Sequence, residues 1–240
     1  MNARLYFPKR LPEPKQMEQA EMTAFDHLAK SNYHRWVLPF VWEAKIYFPK
    51  KTKKILDVGC GPGLLVKGFA EASRSWQVTG IDVSSHALVL AKKNCRQLKN
   101  IQFAKNDASK LKFSSHSFDA VVCKDTLHHF NDPVQVFKEI WRVLKPGGTL
   151  YLQDLKRDLP MYLLKRAIPP DSPIKKLQFY SARAAYTKPE IKKILKLANI
   201  NNYNLKTNKV TKALAKTFSK IERNGLKEAF QSRFVLVAKK

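Results

Sequence analysis

The stretch "KKILDVGCGPGLLVKGFAEA", Lys53 to Ala72, packs three glycines into five residues between an apolar run and a helical pattern. Glycine takes positive φ readily and lets another molecule approach the backbone, at an entropic cost that ordinary loops avoid. A loop so placed is expected to cradle a ligand. "KKILDVG" (53–59) has the length and content of a buried strand, and "LLVKGFAEASR" has helical periodicity.

Working outward, the same strand-then-helix unit recurs. "WQVTGIDV" (76–83), "IQFAKND" (101–107), "FDAVVCK" (118–124) and "GTLYLQDL" (148–155) are short apolar or β-branched runs beside turn residues. Helical patterns lie between them: "SHALVLAKKNCRQLK" after Ser84/Ser85, and "DPVQVFKEIWRVLKPGG" with Asp132 as N-cap and Pro133 at the first helical position. That second helix is expected to stop at "KPGG", where Pro146 cannot continue it and Gly147 can take a left-handed turn. Repeated β-α units predict an α/β fold with a parallel sheet covered on both faces.

Ligands of such sheets bind beyond the carboxyl ends of the strands, so the residues just after each apolar run are the informative ones. A dinucleotide fingerprint reads GxGxxG, but Gly59-Cys60-Gly61-Pro62-Gly63 is spaced GxGxG, which disfavours a nicotinamide cofactor. No Gly-Lys-Ser/Thr closes the loop, which excludes a P-loop.

"ILDVGCGPG" resembles the first motif of class I S-adenosylmethionine-dependent methyltransferases, and three further segments agree in order and spacing. "GIDVS" resembles the second motif, which implies that Asp82 accepts hydrogen bonds from the cofactor ribose. "KNDAS" resembles the third, which implies that Asp107 meets the adenine amino group. "FDAVVCKDTLHHFNDPVQVFKEIWRVLKPGGTLYLQD" is similar to the strand-four to strand-five half of the subgroup holding ubiquinone/menaquinone-type and other small-molecule methyltransferases. The resemblance spans roughly residues 53–155. It implies a Rossmann-like, mostly parallel seven-stranded sheet whose last strand is antiparallel, and S-adenosyl-L-methionine as cofactor. The residues it assigns to the cofactor are Asp57, Gly59, Cys60, Gly61, Gly63, Asp82, Val83, Asp107, Ala108 and Lys124. Taken alone, Asp57 reads equally as a strand-end acid and Asp82 as a helix N-terminal charge; their joint spacing favours binding. Cys60 is assigned no chemistry of its own, and Cys123 lacks the adjacent proline of cytosine-C5 RNA methyltransferases.

A sulfonium is already a strong methyl donor, so such an enzyme mainly aligns the acceptor for in-line displacement. "CKDTLHHF" follows strand four, where the family places residues near the sulfonium and acceptor. His128 and His129 are the candidate catalytic residues, since imidazole titrates near neutrality; the alternative is that they only pack beside the cofactor. The segment lacks the Asn/Asp-Pro-Pro-Tyr/Phe pattern of enzymes that methylate exocyclic amines.

The 240 residues fit one domain, with residues 1–50 as an N-terminal helical lid, 51–155 as cofactor core and 156–240 as the acceptor side. In the lid, Tyr33, His34, Arg35 and Trp36 are candidates to cover the cofactor, while Trp36, Phe40 and Trp42 read equally as core. Toward the other end, "AIPPDSPIKK" reads as an irregular crossing, with Tyr180, Arg183 and Tyr186 as acceptor contacts, and Thr187 as N-cap of the next helix. Three widely spaced cysteines, no CxxC and no His at zinc spacing argue against a disulfide framework or a metal site. No apolar run approaches the length of a membrane span and "MNARLYFPKRLPEPKQ" lacks the apolar region of a secretory signal, so a cytoplasmic protein is expected.

The net charge of +26 is uneven: residues 155–240 carry 21 Lys and Arg against 5 Asp and Glu. A basic insert at 208–231, where relatives make a tight turn, has helical apolar spacing. RNA, an anionic membrane surface or solvent are all readings of that charge. A small-molecule or lipid-like acceptor is the leading expectation, with RNA methylation through the basic C-terminal region as the alternative.

Overall fold

The computed structural model describes residues 9–13, 17–157, 173–207 and 233–240. The described strands form one sheet: β1 (Lys54–Val58), β2 (Gln77–Asp82), β3 (Ile101–Lys105), β4 (Phe118–Lys124), β5 (Leu144–Leu155), β6 (Tyr203–Thr207) and β7 (Arg233–Lys239). Their order is β3-β2-β1-β4-β5-β7-β6, parallel from β3 through β5, with β7 antiparallel to both of its neighbours. The chain runs outward from β1 to β3 on one side and from β4 to β5 on the other. A ligand crevice therefore opens between the carboxyl ends of β1 and β4.

Helices α1 (Gln19–Ser31), α2 (Tyr33–Trp36) and α3 (Leu38–Tyr47) precede β1, and α4 (Leu64–Ala72) and α5 (Ser85–Asn94) link β1, β2 and β3. Between β4 and β5 run a single 3-10 turn (Leu127–His129) and α6 (Pro133–Val143); α7 (Pro173–Ala184) and α8 (Lys188–Leu197) precede β6. Both sheet faces are covered, which explains why the strands read as continuous apolar runs. Successive strand residues face opposite ways, so Ile55 packs with Phe40, Val66 and Phe69 beneath α3 and α4, whereas Leu56 packs with Phe137, Ile140 and Leu195 beneath α6 and α8.

Local signals set the helix starts. Ser84 Oγ accepts from Ala87 N, Asp132 caps α6 ahead of Pro133, and Thr187 with Glu190 forms a capping box on α8. Helix α6 ends earlier than expected: Leu144 is already extended and opens β5, so "KPGG" lies within the strand. Lys145 precedes a proline, which biases it away from helix, and Leu144 pairs with Phe118. Gly147 does take positive φ, +77°.

The N-terminal helices correct one expectation and place a second residue. Trp42 is 43% exposed, while Phe40, two positions and about 200° earlier on the helix, is 2% exposed; only the latter is core. Tyr33, a candidate for the lid, packs on α4. Its hydroxyl donates to Glu71 Oε2 at 2.9 Å and Lys67 Nζ lies 5.0 Å from its ring centre, which docks α2 on α4. Trp36 is partly buried against the same core. The last four residues of "AIPPDSPIKK" open α7 rather than an irregular crossing. Basic insert 208–231 lies outside the described residues.

Phe40 sits edge-on to Tyr151 (5.0 Å) and to Phe69 (6.3 Å), joining α3 to β5 and α4. Phe40→Ala should cost about 3–5 kcal/mol, the usual range for a buried aromatic truncation. Equilibrium urea unfolding followed by circular dichroism checks this, and a loss under about 1 kcal/mol would mean that the N-terminal helices are not part of the core.

Candidate active site

The glycine loop is held to β2 by its own backbone. Gly59 N and Cys60 N both donate to Ile81 O at 2.9 Å, and Gly61 N donates to Asp82 Oδ2 at 2.9 Å. Gly59 has φ +73°, and a Cβ there would stand 2.2 Å from Thr126 Cγ2, so the β1 loop can only abut the β4 loop as glycine. At Gly61, φ +50°, an added Cβ would meet nothing within 4 Å. The middle of the loop is thus an open face, and Gly63 behind it is the left-handed N-cap of α4.

Asp57 is fully buried at the end of β1, and neither carboxylate oxygen has a hydrogen-bond partner. Burial first and the nearby Asp82 charge second raise its pKa to about 8, with Lys124 opposing. Asp82 accepts from Gly61 N and, through Oδ1, from Ser84 N at 2.8 Å; burial raises its pKa and these bonds temper the rise. Val83 follows it in the turn into α5. Asn106 N donates to Asp82 O at 3.1 Å, which sets the third loop beside the second. There Asp107 Oδ1 accepts from Ser109 N (2.9 Å) and Ser109 Oγ (2.7 Å), beside buried Ala108. The Lys124 ammonium is engaged by Asp125, which also holds Arg233 at 2.8 Å; burial lowers the Lys124 pKa. Cys60 is buried with its thiol pKa pushed well up, so it is not a nucleophile. Cys60, Cys95 and Cys123 are free and buried.

His128 and His129 stand together in the turn after β4, ring centres 4.2 Å apart. His128 is 2% exposed, and its Nδ1 lies 2.7 Å from Asp154 Oδ1 at the end of β5. Burial depresses the His128 pKa, but the Asp154 charge and hydrogen bond outweigh it and the net shift is upward. The carboxylate thereby selects the tautomer with hydrogen on Nδ1 and leaves the Nε2 lone pair available. Glu13 Oε2 lies 3.2 Å from His129 Nδ1.

Glu13, Arg10 and Asp154 are site residues that the sequence reading missed. Asp154 follows the apolar run of β5, so the rule that singles out strand ends was able to find it. Arg10 and Glu13 carry no such signal, because they are placed by tertiary contacts: Arg10 donates to Ala184 O (2.6 Å) and His128 O (2.9 Å) and covers the Tyr186 ring at 4.2 Å. Residues 9–13, rather than α2, therefore lie against the acceptor-side histidines. Tyr186 is buried beside them, with its hydroxyl 3.4 Å from Phe130 O, whereas Tyr180 is 44% exposed with Arg183 at 5.0 Å from its ring centre.

Residues 56–152 match the family described as "Methyltransferase domain". The chain is 35% identical over 114 residues to ubiquinone biosynthesis O-methyltransferase of Coxiella burnetii, covering 47% of this chain and 48% of that protein. The chain spans about half the length of the curated relatives it matches. Among solved structures, a SAM-dependent methyltransferase from Aquifex aeolicus superposes with a TM-score of 0.66 at 18% identity, over 93% of this chain and 99% of that one. The plantazolicin methyltransferase BpumL, solved with a desmethyl substrate analogue and SAH, superposes with a TM-score of 0.67 at 18% identity, over 92% and 89%. These structural likenesses show the fold.

Asp57 yields a pH prediction. An aspartate with a folded pKa near 8 and an unfolded value near 3.9 holds a proton between those values only when folded. Stability contributed by that protonation is present at low pH and is lost as pH rises through the window, at up to about 1.4 kcal/mol per pH unit. Urea unfolding at pH 5 and pH 8 should show a smaller decline for Asp57→Asn than for the wild type. Equal declines would mean that Asp57 is ionised throughout.

Proposed function

We propose that this chain is a class I S-adenosylmethionine-dependent methyltransferase, a reading supported by its fold and by the family match of residues 56–152, and that it methylates a small-molecule or lipid-like acceptor held against His128 and His129. The observation that carries the reading is the buried Asp57 carboxylate without a partner, next to the open face at Gly61. Burial keeps the Asp57 carboxyl protonated up to about pH 8 in this fold, because a buried anion with no donor is costly; a cation-bearing ligand such as S-adenosylmethionine is of the right kind to stabilise its charged form. The residues present fit that cofactor. In this reading Gly59, Cys60, Gly61 and Gly63 face it with backbone, Asp57 answers its positive charge, and Asp82 with Val83 meets the ribose. Asp107, Ala108 and Lys124 complete the adenine and sulfonium ends.

The cofactor supplies an activated methyl group, and the protein's part is orientation and exclusion of water. Residues 9–13 contribute to that exclusion by lying over the turn after β4, tied to Ala184 and His128 through Arg10. We take residues 1–50 and 156–240 as the acceptor-side parts of one domain with core 51–155. That the first relatives are O-methyltransferases over this half of the chain supports an oxygen acceptor. Methylation of RNA rests only on the charge of residues 155–240, and no feature of the described fold favours it. Among the described residues no helix is long and apolar enough to cross a membrane; with three free buried cysteines, a cytoplasmic site is proposed.

Calorimetry should detect binding of S-adenosylmethionine and of its demethylated product, and none of NAD. Asp82→Ala should weaken that binding by about 1.5–3 kcal/mol, the range for charge-assisted hydrogen bonds. Unchanged affinity in a variant with intact circular dichroism would make the pocket assignment wrong. With labelled S-adenosylmethionine and cell extract, product should partition into organic or small-molecule fractions; label lost on ribonuclease treatment would favour the RNA alternative.

A further inference from the structure

We propose that Glu13, His128 and His129 form a binding site for one divalent transition-metal ion. One ligand-type atom from each of the three lies within 4.8 Å of the other two. Ligand atoms on a single ion sit roughly 3–4 Å apart, so side-chain adjustment on the order of 1 Å closes the triad.

A second, independent observation points to a ligand there. The Glu13 side chain is 6% exposed, and its Oε1 is buried with no hydrogen-bond partner. Coordination to a cation supplies what the fold does not. The surrounding shell also fits. Asp154 Oδ1 engages His128 Nδ1 at 2.7 Å and Oδ2 accepts from His128 N at 3.3 Å, the carboxylate–histidine arrangement that orients a metal-binding imidazole and leaves Nε2 as the ligand.

The donor set is two imidazoles and a carboxylate, without thiolate. That combination suits Zn²⁺, Fe²⁺ or Co²⁺ over Mg²⁺ or Ca²⁺, which take oxygen ligands. Three protein ligands leave a coordination position open, as in catalytic rather than structural sites. His129 is 17% exposed at its side chain, so the cluster has a solvent side. Arg10, the strap cation bonded at His128, is held by two carbonyls and the Tyr186 ring. A role for the ion in holding an oxygen-bearing acceptor rests on the methyltransferase reading above; the metal site itself does not.

The test uses the full-length untagged chain, stripped with a chelator and titrated with Zn²⁺ against a chromophoric competitor. One equivalent should bind, and Co²⁺ in its place should give the visible absorption of a four- or five-coordinate site. Glu13→Gln and His129→Ala should each weaken Zn²⁺ by more than about 100-fold, and Asp154→Asn by about 10–100-fold, the usual cost of losing an outer carboxylate. His27→Ala, an exposed position on α1, should change nothing. Binding of the demethylated cofactor is measured on the same samples, so loss of fold and failure of the methyltransferase reading register separately. Less than one equivalent of Zn²⁺, a six-coordinate Co²⁺ spectrum in the wild type, or unchanged affinity in both first variants would overturn the proposal.

Discussion

The hydrogen bond from the Gly61 N–H to the Asp82 carboxylate ties the end of β1 to the end of β2, and the geometry of the site depends on it. With Gly59 N and Cys60 N both on Ile81 O, it fixes three consecutive loop residues against the neighbouring strand. The chain then has one way to leave: through left-handed Gly63 into α4. Asp82 is anchored in return, its other oxygen accepting from Ser84 N as α5 begins. Two helix starts and the wall of the crevice are therefore set by one carboxylate. Its position beside Asp57 puts two carboxyl groups side by side at the strand ends, and the Asp82 charge disfavours that of Asp57.

The 3-10 turn after β4 is built differently, from distant parts of the chain that meet there. His128 is fixed from β5 through Asp154, and from the N-terminal strap through Arg10, which also grips the carbonyl of Ala184 at the end of α7. This arrangement separates two tasks. Helices α2 and α3 are scaffold, anchored by Phe40, Tyr33 and the sheet face, while the short segment before α1 reaches His128 and His129. Helix α1 bridges them, since Asn94 donates both to Asp26 Oδ1 (2.7 Å) and to Pro62 O (2.8 Å) of the glycine loop.

The sheet was legible because its strands are buried on both faces and so appear as uninterrupted apolar runs bounded by glycine or acid. The cofactor edge was legible for a related reason: in a parallel sheet every loop at that edge follows a strand directly, so sequence position and spatial position coincide. Both advantages fail where a residue is placed by contact alone. Glu13 stands 115 positions from His128, and nothing in "LPEPKQ" marks it as a partner for an imidazole. Trp42 misled because hydrophobicity was read without phase; its neighbour Phe40 occupies the inward face. The end of α6 misled because a proline and two glycines read as a helix stop, whereas a strand able to hold Leu144 against Phe118 claims those residues first.

The charge of the whole chain and the groups at its site differ. With +26 overall, the surface attracts polyanions, yet four acids, Asp57, Asp82, Asp154 and Glu13, lie at the crevice, with Lys124 and Arg10 among them. Asp57 and Glu13 each have a buried oxygen that no donor in the fold satisfies. A solvated surface field is screened within about 10 Å at moderate salt, whereas buried charges are screened far less. Buried groups at the strand ends therefore act on a ligand there more strongly than the surface lysines do. A basic composition speaks to solubility and to long-range encounter; it is not a guide to what this crevice holds, which the buried groups at the strand ends decide.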